Sequence, residues 1–162
     1  MKDIAIIKKQ LIEELETLRK QIDKQKKAET KRKKIEEALR ENENKYRSLF
    51  TSSRDGIAIA NLKGYITYCN QAYADMFGYS IEELRKLTFL ELTPAKWHKS
   101  NEDMVRDVME LGYSDEFEKE YIRKDGTIFP VLLRTWRIDD EKGNPIAICS
   151  IIRDFSERKK SE

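Results

Sequence analysis

The sequence predicts an α+β fold, a five-stranded antiparallel sheet with short helices on one face, carried behind a long N-terminal helix. Three observations lead there. Residues 1–45 contain no Gly, Pro or aromatic residue, and all of those lie from Tyr46 onward. From Tyr46 the strand signals come as a pair and then a group of three, with several short helix signals between them. Within each group, short turns join the strands, which makes neighbours antiparallel.

The first 45 residues are mostly Lys, Glu, Ile, Leu, Arg and Gln, good helix formers apart from Ile. Ile4, Ile7, Leu11, Leu15, Leu18 and Ile22 step by threes and fours along one stripe. That is the narrow seam of a coiled coil, not the broad face of a globular helix. The seam weakens across Asp23-Lys24-Gln25-Lys26-Lys27 and Lys31-Arg32-Lys33-Lys34. Ile35, Leu39, Tyr46 and Leu49 resume it in a shifted phase, which implies over- or underwinding or a bend. The basic run interrupts the seam instead of flanking it, and Glu29, Glu36 and Glu37 dilute it, so it reads as a solvated helical face and not a DNA-contacting arm. So thin an apolar stripe needs a partner helix, and a parallel homodimer is expected.

In the second part, Gly56-Ile57-Ala58-Ile59-Ala60 is a strand, Asn61-Leu62-Lys63-Gly64 a turn, and Tyr65-Ile66-Thr67-Tyr68-Cys69 the returning strand. Asn70 caps a short helix from Gln71 to Phe77 that stops at Gly78. Ser80 with Glu83 is a capping box for another. Thr93 as cap and Pro94 in the first helical position open a longer helix that ends at Gly112. Phe117 to Arg123 is a strand, Lys124-Asp125-Gly126 a three-residue loop closed by glycine in the left-handed region, and Thr127 to Ile138 the return. Asp140-Glu141-Lys142-Gly143-Asn144 turns into the last strand, Ile146 to Ile152. That strand runs into Asp154, which with Glu157 reads as a helix N-cap and its reciprocal partner. The charged stub is either a frayed terminus or a connector whose continuation is missing or comes from another chain.

Composition limits the function classes. At 162 residues, one domain plus an appendage is expected. A net charge of +2 argues against a dedicated nucleic-acid binder. Cys69 and Cys149 both sit in apolar strand runs and read as buried reduced thiols. No apolar run approaches the ~20 residues of a membrane span, and Met1 to Gln10 has no apolar signal core followed by a small-residue cleavage site, so a cytoplasmic location is expected.

Six pieces resemble the PAS domain, the small sensory module of bacterial signalling proteins. They are Tyr46-Arg47-Ser48-Leu49-Phe50, Asp55-Gly56-Ile57, Gly64-Tyr65-Ile66-Thr67-Tyr68-Cys69-Asn70 with Ala72, Phe77-Gly78-Tyr79-Ser80, Arg123-Lys124-Asp125-Gly126-Thr127 and Arg153-Asp154-Phe155-Ser156-Glu157-Arg158-Lys159. Each is weak alone, but six in order are specific. The resemblance covers about Tyr46 to Lys159 and implies a PAS fold, a sheet cupping a pocket under short helices. The N-terminal helix resembles the coiled-coil linkers that join such modules in sensor kinases and cyclases. Residues 1–45 are then a coiled-coil linker, 46–156 the PAS domain and 157–162 the start of a C-terminal output linker.

If glycine closes a three-residue loop, Arg123 pairs with Thr127. Phe117, Lys119 and Tyr121 then share a face with Phe129, Val131 and Leu133, and Glu118, Glu120 and Ile122 share the other with Leu132, Arg134 and Trp136. A two-residue Asp-Gly loop would reverse the faces. The resemblance implies that the first face looks into the pocket. The second would lie under Tyr46, Leu49 and Phe50 or a partner subunit, with a Glu118/Glu120–Arg134 cluster beside Trp136. Trp97, Asn101, Met104 and Val108 fall on one stripe of the long helix, either plain core packing or the opposite pocket wall. Asn101, an amide among apolar neighbours, needs partners if buried. Candidate pocket residues are Trp97, Asn101, Met104, Phe117, Lys119, Tyr121, Val131, Leu133, Thr135 and Ser150.

The resemblance also bears on cofactors. Flavin photosensing in the related LOV proteins needs a reactive cysteine in an Asn-Cys-Arg-Phe-Leu-Gln context, whereas Cys69 precedes its asparagine on a strand. Haem-binding members carry a histidine at a position that falls near Asn101, and His98, the one histidine here, lies about a turn earlier. No metal-ligand spacing is present. Haem and flavin are therefore not expected; a small organic ligand, or none, is. The expected function is a sensory and dimerising module of signal transduction that binds a small molecule or relays a conformational signal to a histidine kinase or other output domain. Asp154 and Ser156 match the family's exit motif, Asp-x-Thr/Ser. The rival readings are a coiled-coil adaptor with a ligand-free PAS domain, or a fragment of a sensor histidine kinase or transcription regulator. The chain has no glycine-rich nucleotide box, and one histidine is little acid–base equipment, so no catalytic residue is assigned and the chain is not expected to be an enzyme.

Overall fold

The computed structural model describes residues 1–161, with side chains through Arg158. The chain divides into two compact units between Arg47 and Ser48. Helix α1 (Lys2–Ser52) makes up the first unit and continues into the second. It ends later than the expected boundary near residue 45 because residues 46–52 supply no glycine or proline; the first glycine is Gly56. The seam residues from Ile4 to Ile22 are all 50–60% exposed. Arg32–Glu36 and Lys33–Glu29 ion pairs run along the exposed face of the basic run. No helix among the described residues is long and apolar enough to cross a membrane.

The second unit is built on a sheet of β1 (Gly56–Asn61), β2 (Ile66–Cys69), β3 (Phe117–Ile122), β4 (Ile128–Asp139) and β5 (Pro145–Asp154). Their spatial order is β2-β1-β5-β4-β3, and all pairs are antiparallel. The last strand in sequence is thus central in space, which accounts for its near-continuous apolar run. Its Ile148 and Ile152 turn to the core and its Cys149 is buried on the other face, opposite Ile59 and Trp136. Between β2 and β3 lie α2 (Gln71–Phe77), α3 (Ile81–Leu84) and α4 (His98–Leu111), and α5 (Ser156–Ser161) follows β5.

Local chemistry placed most of these boundaries. Asn70 Oδ1 accepts from the Tyr73 N–H at the start of α2, and Gly78 closes that helix at φ 77°. Ser80 and Glu83 form the reciprocal capping box. Across the β3–β4 loop the Arg123 N–H donates to Thr127 O and the Gly126 N–H to Arg123 O, with Gly126 at φ 88°. This is the three-residue loop, so Lys119 pairs with Val131 and Tyr121 with Phe129, all four on the buried face. Phe77, fully buried, joins helices to sheet; its ring lies 4.6 Å from Tyr73, 5.0 Å from Tyr121 and 5.4 Å from Phe129.

Thr93 differs from the expectation. It does not cap α4. Its N–H donates to Leu90 O, its hydroxyl donates back to Phe89 O at 2.7 Å, and the side chain is buried. A 3-10 turn over Ala95–Trp97 follows Pro94, and the α-helix proper starts at His98. The 3-10 turn places Thr93 four residues before Trp97, the cap position of α4, and its hydroxyl donates to Phe89 O and accepts from Lys119 Nζ instead.

Candidate functional site

Strand alternation turns Lys119 and Tyr121 of β3 inward beside Leu133 and Thr135 of β4, and helical spacing turns Asn101 and Met104 of α4 toward them. Together with Ser150 of β5 they line an interior cavity. It leaves about 30 Å³ for the centres of water-sized spheres, enough for roughly two waters at ~10–15 Å³ each. Among the candidates, Val131 is fully buried but outside the lining. Trp97 and Phe117 also stand outside it; their rings meet edge-on at 6.0 Å. Ala58 and Ala60 of β1, Tyr73 of α2, and Phe89 belong to the lining and were not among the candidates. The alternation in Gly56–Ala60 could have found the two alanines, because β1 shows its alanines to the core.

A cation sits in this interior. Lys119 is 2% exposed, and its Nζ donates to Asn101 Oδ1 at 2.7 Å and to Thr93 Oγ1 at 3.4 Å. It also stands 4.0 Å from the centre of the Tyr121 ring. Burial pushes the ammonium down to about 7, while the amide oxygen and the ring face favour its charged form. No carboxylate lines the cavity among the described residues. Asn101 is 1% exposed, and its Nδ2 has no hydrogen-bond partner among the described residues. Thr135 and Ser150 bond each other at 3.0 Å.

The second feature is where the chain enters and leaves the sheet. Asn70, 2% exposed, accepts from the Ile57 and Tyr73 N–H groups and donates to Phe50 O and Asp55 O. Arg153 grips the Asp55 carboxylate with two nitrogens, at 3.0 and 3.1 Å. Asp154 Oδ1 accepts from the Ser156 N–H at 2.8 Å and from its hydroxyl, and Oδ2 takes Arg123 at 3.1 Å. Partial burial works to raise the Asp154 carboxyl, but Ser156 and Arg123 outweigh it and hold it below the usual carboxylate range. Helix α5 starts at Ser156, and Asp154, two residues earlier, takes the Ser156 N–H at its first turn. Of the output linker expected at 157–162, Glu162 lies outside the described residues. Arg123 also donates to Met76 O and lies 3.8 Å above the Phe129 ring. Sequence reading quoted Arg123 as part of a motif but missed this junction, because nothing local signals a partner 31 residues away.

The outer face is only partly as expected. Phe50 stacks on Tyr68 at the β2 edge, with ring centres 4.9 Å apart. Tyr46 and Leu49 are 73% and 67% exposed. Arg134 is exposed and Trp136 half-buried on the outer side of β4. Glu120 takes Lys96 and the Trp97 indole N–H, among the residues leading into α4.

No thiol or imidazole among the described residues lines the cavity. Cys69 and Cys149 are buried free thiols outside the lining, and burial raises both, Cys149 to about 11. His98 is bonded through Nε2 to Thr93 O and does not reach the cavity lining. No cluster of His, Cys, Asp and Glu among the described residues could hold a metal.

Residues 54–157 match the family described as PAS domain. The methyl sulfide methyltransferase-associated sensor of Methanosarcina acetivorans is 34% identical over 128 residues, covering 78% of this chain and 12% of that protein. The chain therefore spans about an eighth of that relative. A PAS domain from Colwellia psychrerythraea superposes with a TM-score of 0.67 at 22% identity, covering 71% of this chain and 98% of that one. A light-oxygen-voltage domain studied with a flavin analogue reaches 0.59 at 21% identity, covering 71% and 87%. At those identities the two structures speak for the fold alone.

Below about pH 7 the folded and unfolded chains both hold the Lys119 proton, and the fold bears the whole cost of the buried charge. Above it the folded chain sheds the proton, while the unfolded chain keeps it up to the ordinary value of 10.5. Stability from this residue therefore rises with pH across that window. Relative to Lys119→Met, the wild type is expected to gain up to about 1.4 kcal/mol per pH unit, measured by urea unfolding at about pH 6 and about pH 9. A difference that stays flat with pH contradicts a buried, depressed ammonium.

Proposed function

This chain belongs to the PAS domain family, and from that premise we propose that it is a sensory module of signal transduction. A small molecule enters the cavity at Lys119 and Asn101, and the change passes to an output domain, a histidine kinase or another, through Asp154 and Ser156. The observation that carries the reading is that β3 serves both ends. Its middle holds Lys119 in the cavity, and the residue after its end, Arg123, grips Asp154 at the exit. Between them runs continuous contact: Lys119 over Tyr121, Tyr121 against Phe77 and Phe129, and Arg123 over Phe129. A ligand that prefers one arrangement of this stack shifts the population of the exit junction by its difference in affinity.

The remaining parts of the reading follow from side chains already described. The exposed seam of α1 supports a parallel dimer, and no residue is given a catalytic role. The ligand is neither flavin nor haem, given the size of the cavity and the buried thiols outside it. A coiled-coil adaptor with an idle PAS domain would leave the buried ammonium and the unpartnered amide without use, which favours the sensor.

Two measurements test this. Light scattering over a wide concentration range is expected to give the mass of a dimer; a monomer throughout contradicts the coiled-coil seam. Asp154→Ala removes the acceptor for Ser156 and the partner of Arg123, and is expected to cost about 1–2 kcal/mol while leaving the core folded. In a fusion to an output kinase it should break the dependence of kinase activity on the PAS domain. Unchanged coupling overturns the junction's role.

A further inference from the structure

The cavity has more donors than acceptors. The Lys119 ammonium carries three N–H groups and meets two oxygens, Asn101 Oδ1 and the more distant Thr93 Oγ1. Asn101 Nδ2, on the same side chain, finds no acceptor among the described residues. An unmet buried donor is costly, and a buried cation without a counter-charge is costlier still. No carboxylate among the described residues lines the cavity to supply one. Across the cavity the hydroxyls of Thr135 and Ser150 share one hydrogen bond, so the buried cation and the unpartnered amide lie together at the Lys119–Asn101 end. The rest of the wall is mostly apolar, with the short side chains of Ala58 and Ala60 beside Met104, Leu133 and Ile148.

A groove lies beside this end. An open apolar groove over Thr88, Phe89 and Leu90 shares Phe89, Asn101 and Val105 with the cavity lining. The amide of Asn101 therefore stands between groove and cavity.

Building on the sensory reading above, we propose that the cavity is a receptor site for a short-chain monocarboxylate. Its oxygens accept from Lys119 Nζ and Asn101 Nδ2, and its alkyl end lies against Ala58 and Ala60. Size supports the class: room for roughly two waters suits the head of an acid of very few carbons and not a dicarboxylate or an aromatic acid. The carboxylate supplies the missing counter-charge and the missing acceptor together, in charge-assisted bonds.

The site carries a pH signature. With the amine at about 7, binding above that pH must draw in a proton, so affinity falls toward tenfold per unit. The other titratable groups around Lys119 are Tyr121 on its own strand and Tyr73 of α2, both raised by burial and neutral in this range. Glu102 of α4 stands at the groove mouth and His98 of α4 against the Thr93 carbonyl.

The test is calorimetric titration of the full chain with formate, acetate, propionate and butyrate, with 1-propanol and acetamide as uncharged controls. The carboxylates are expected to bind and the controls not. Affinity should weaken about tenfold per pH unit above about 7. Lys119→Met should bind at least tenfold more weakly. Asn101→Asp, which gives Lys119 an internal counter-charge and keeps the fold filled, should bind no carboxylate and shift the amine's titration upward. Carboxylate binding that is independent of pH and survives Asn101→Asp overturns the assignment. So does the absence of carboxylate binding. A metabolite screen run on the same protein separates the two claims: neutral ligands displacing the Lys119–Asn101 contact would sink this inference and keep the sensory reading, whereas no ligand at all would sink both.

Discussion

One buried amide fixes how the chain meets its sheet. Asn70 uses all its bonding capacity, accepting twice through Oδ1 and donating twice through Nδ2. Its partners are the last turns of α1, the approach to β1, the first paired residue region of β1 and the first turn of α2. Phe50 O is one of the carbonyls that a helix end leaves unpaired, so the donor from Asn70 meets an existing need. With β1 placed, its six-residue pairing with β5 follows, and β5 places β4. A shorter side chain would leave two N–H groups and two carbonyls to find new partners in a site closed to water. Aspartate would set a second oxygen against those carbonyls.

What sequence could show was whatever depends on near neighbours. Gly126 and Thr127 gave the three-residue loop, and through it the register that puts Lys119, Tyr121 and Leu133 on the inner face. Asn70 was legible as a helix cap because Tyr73 is three residues on, but its reach to Phe50 was not, because that contact spans 20 residues. Thr93 misled for a related reason. Thr-Pro has the composition of a helix start, yet a 3-10 turn separates it from α4 and the hydroxyl meets Phe89 O and Lys119 instead. The pocket candidates on α4 came from a single stripe, but Trp97 belongs to the 3-10 turn before the helix, so it points to Phe117 and Glu120 instead. Arg123 was the largest omission; its side chain joins α2, β4 and the exit.

The two halves of the proposed function draw on opposite economies of charge. At the exit, Asp55–Arg153 and Asp154–Arg123 pair opposite charges near solvent, where each is worth little alone and can rearrange cheaply. In the interior, no carboxylate among the described residues lines the cavity, and Lys119 is held by an amide oxygen and a ring face. A strongly biased interior joined through packed aromatics to a lightly held junction is a reasonable construction for a relay, because a modest interior preference can reset a contact that costs little to break.

Amide hydrogen exchange on the wild type and on Lys119→Met tests that connection most directly. The amides to follow are Ile57 and Tyr73, held by Asn70, and Ser156, held by Asp154. If the interior and the junctions are one coupled system, changing Lys119 alters protection at Ser156 together with that in β3 and α4, and in the same direction at Tyr73. Changes confined to β3 and α4, with Ser156 and Tyr73 exchanging as in the wild type, would contradict the account.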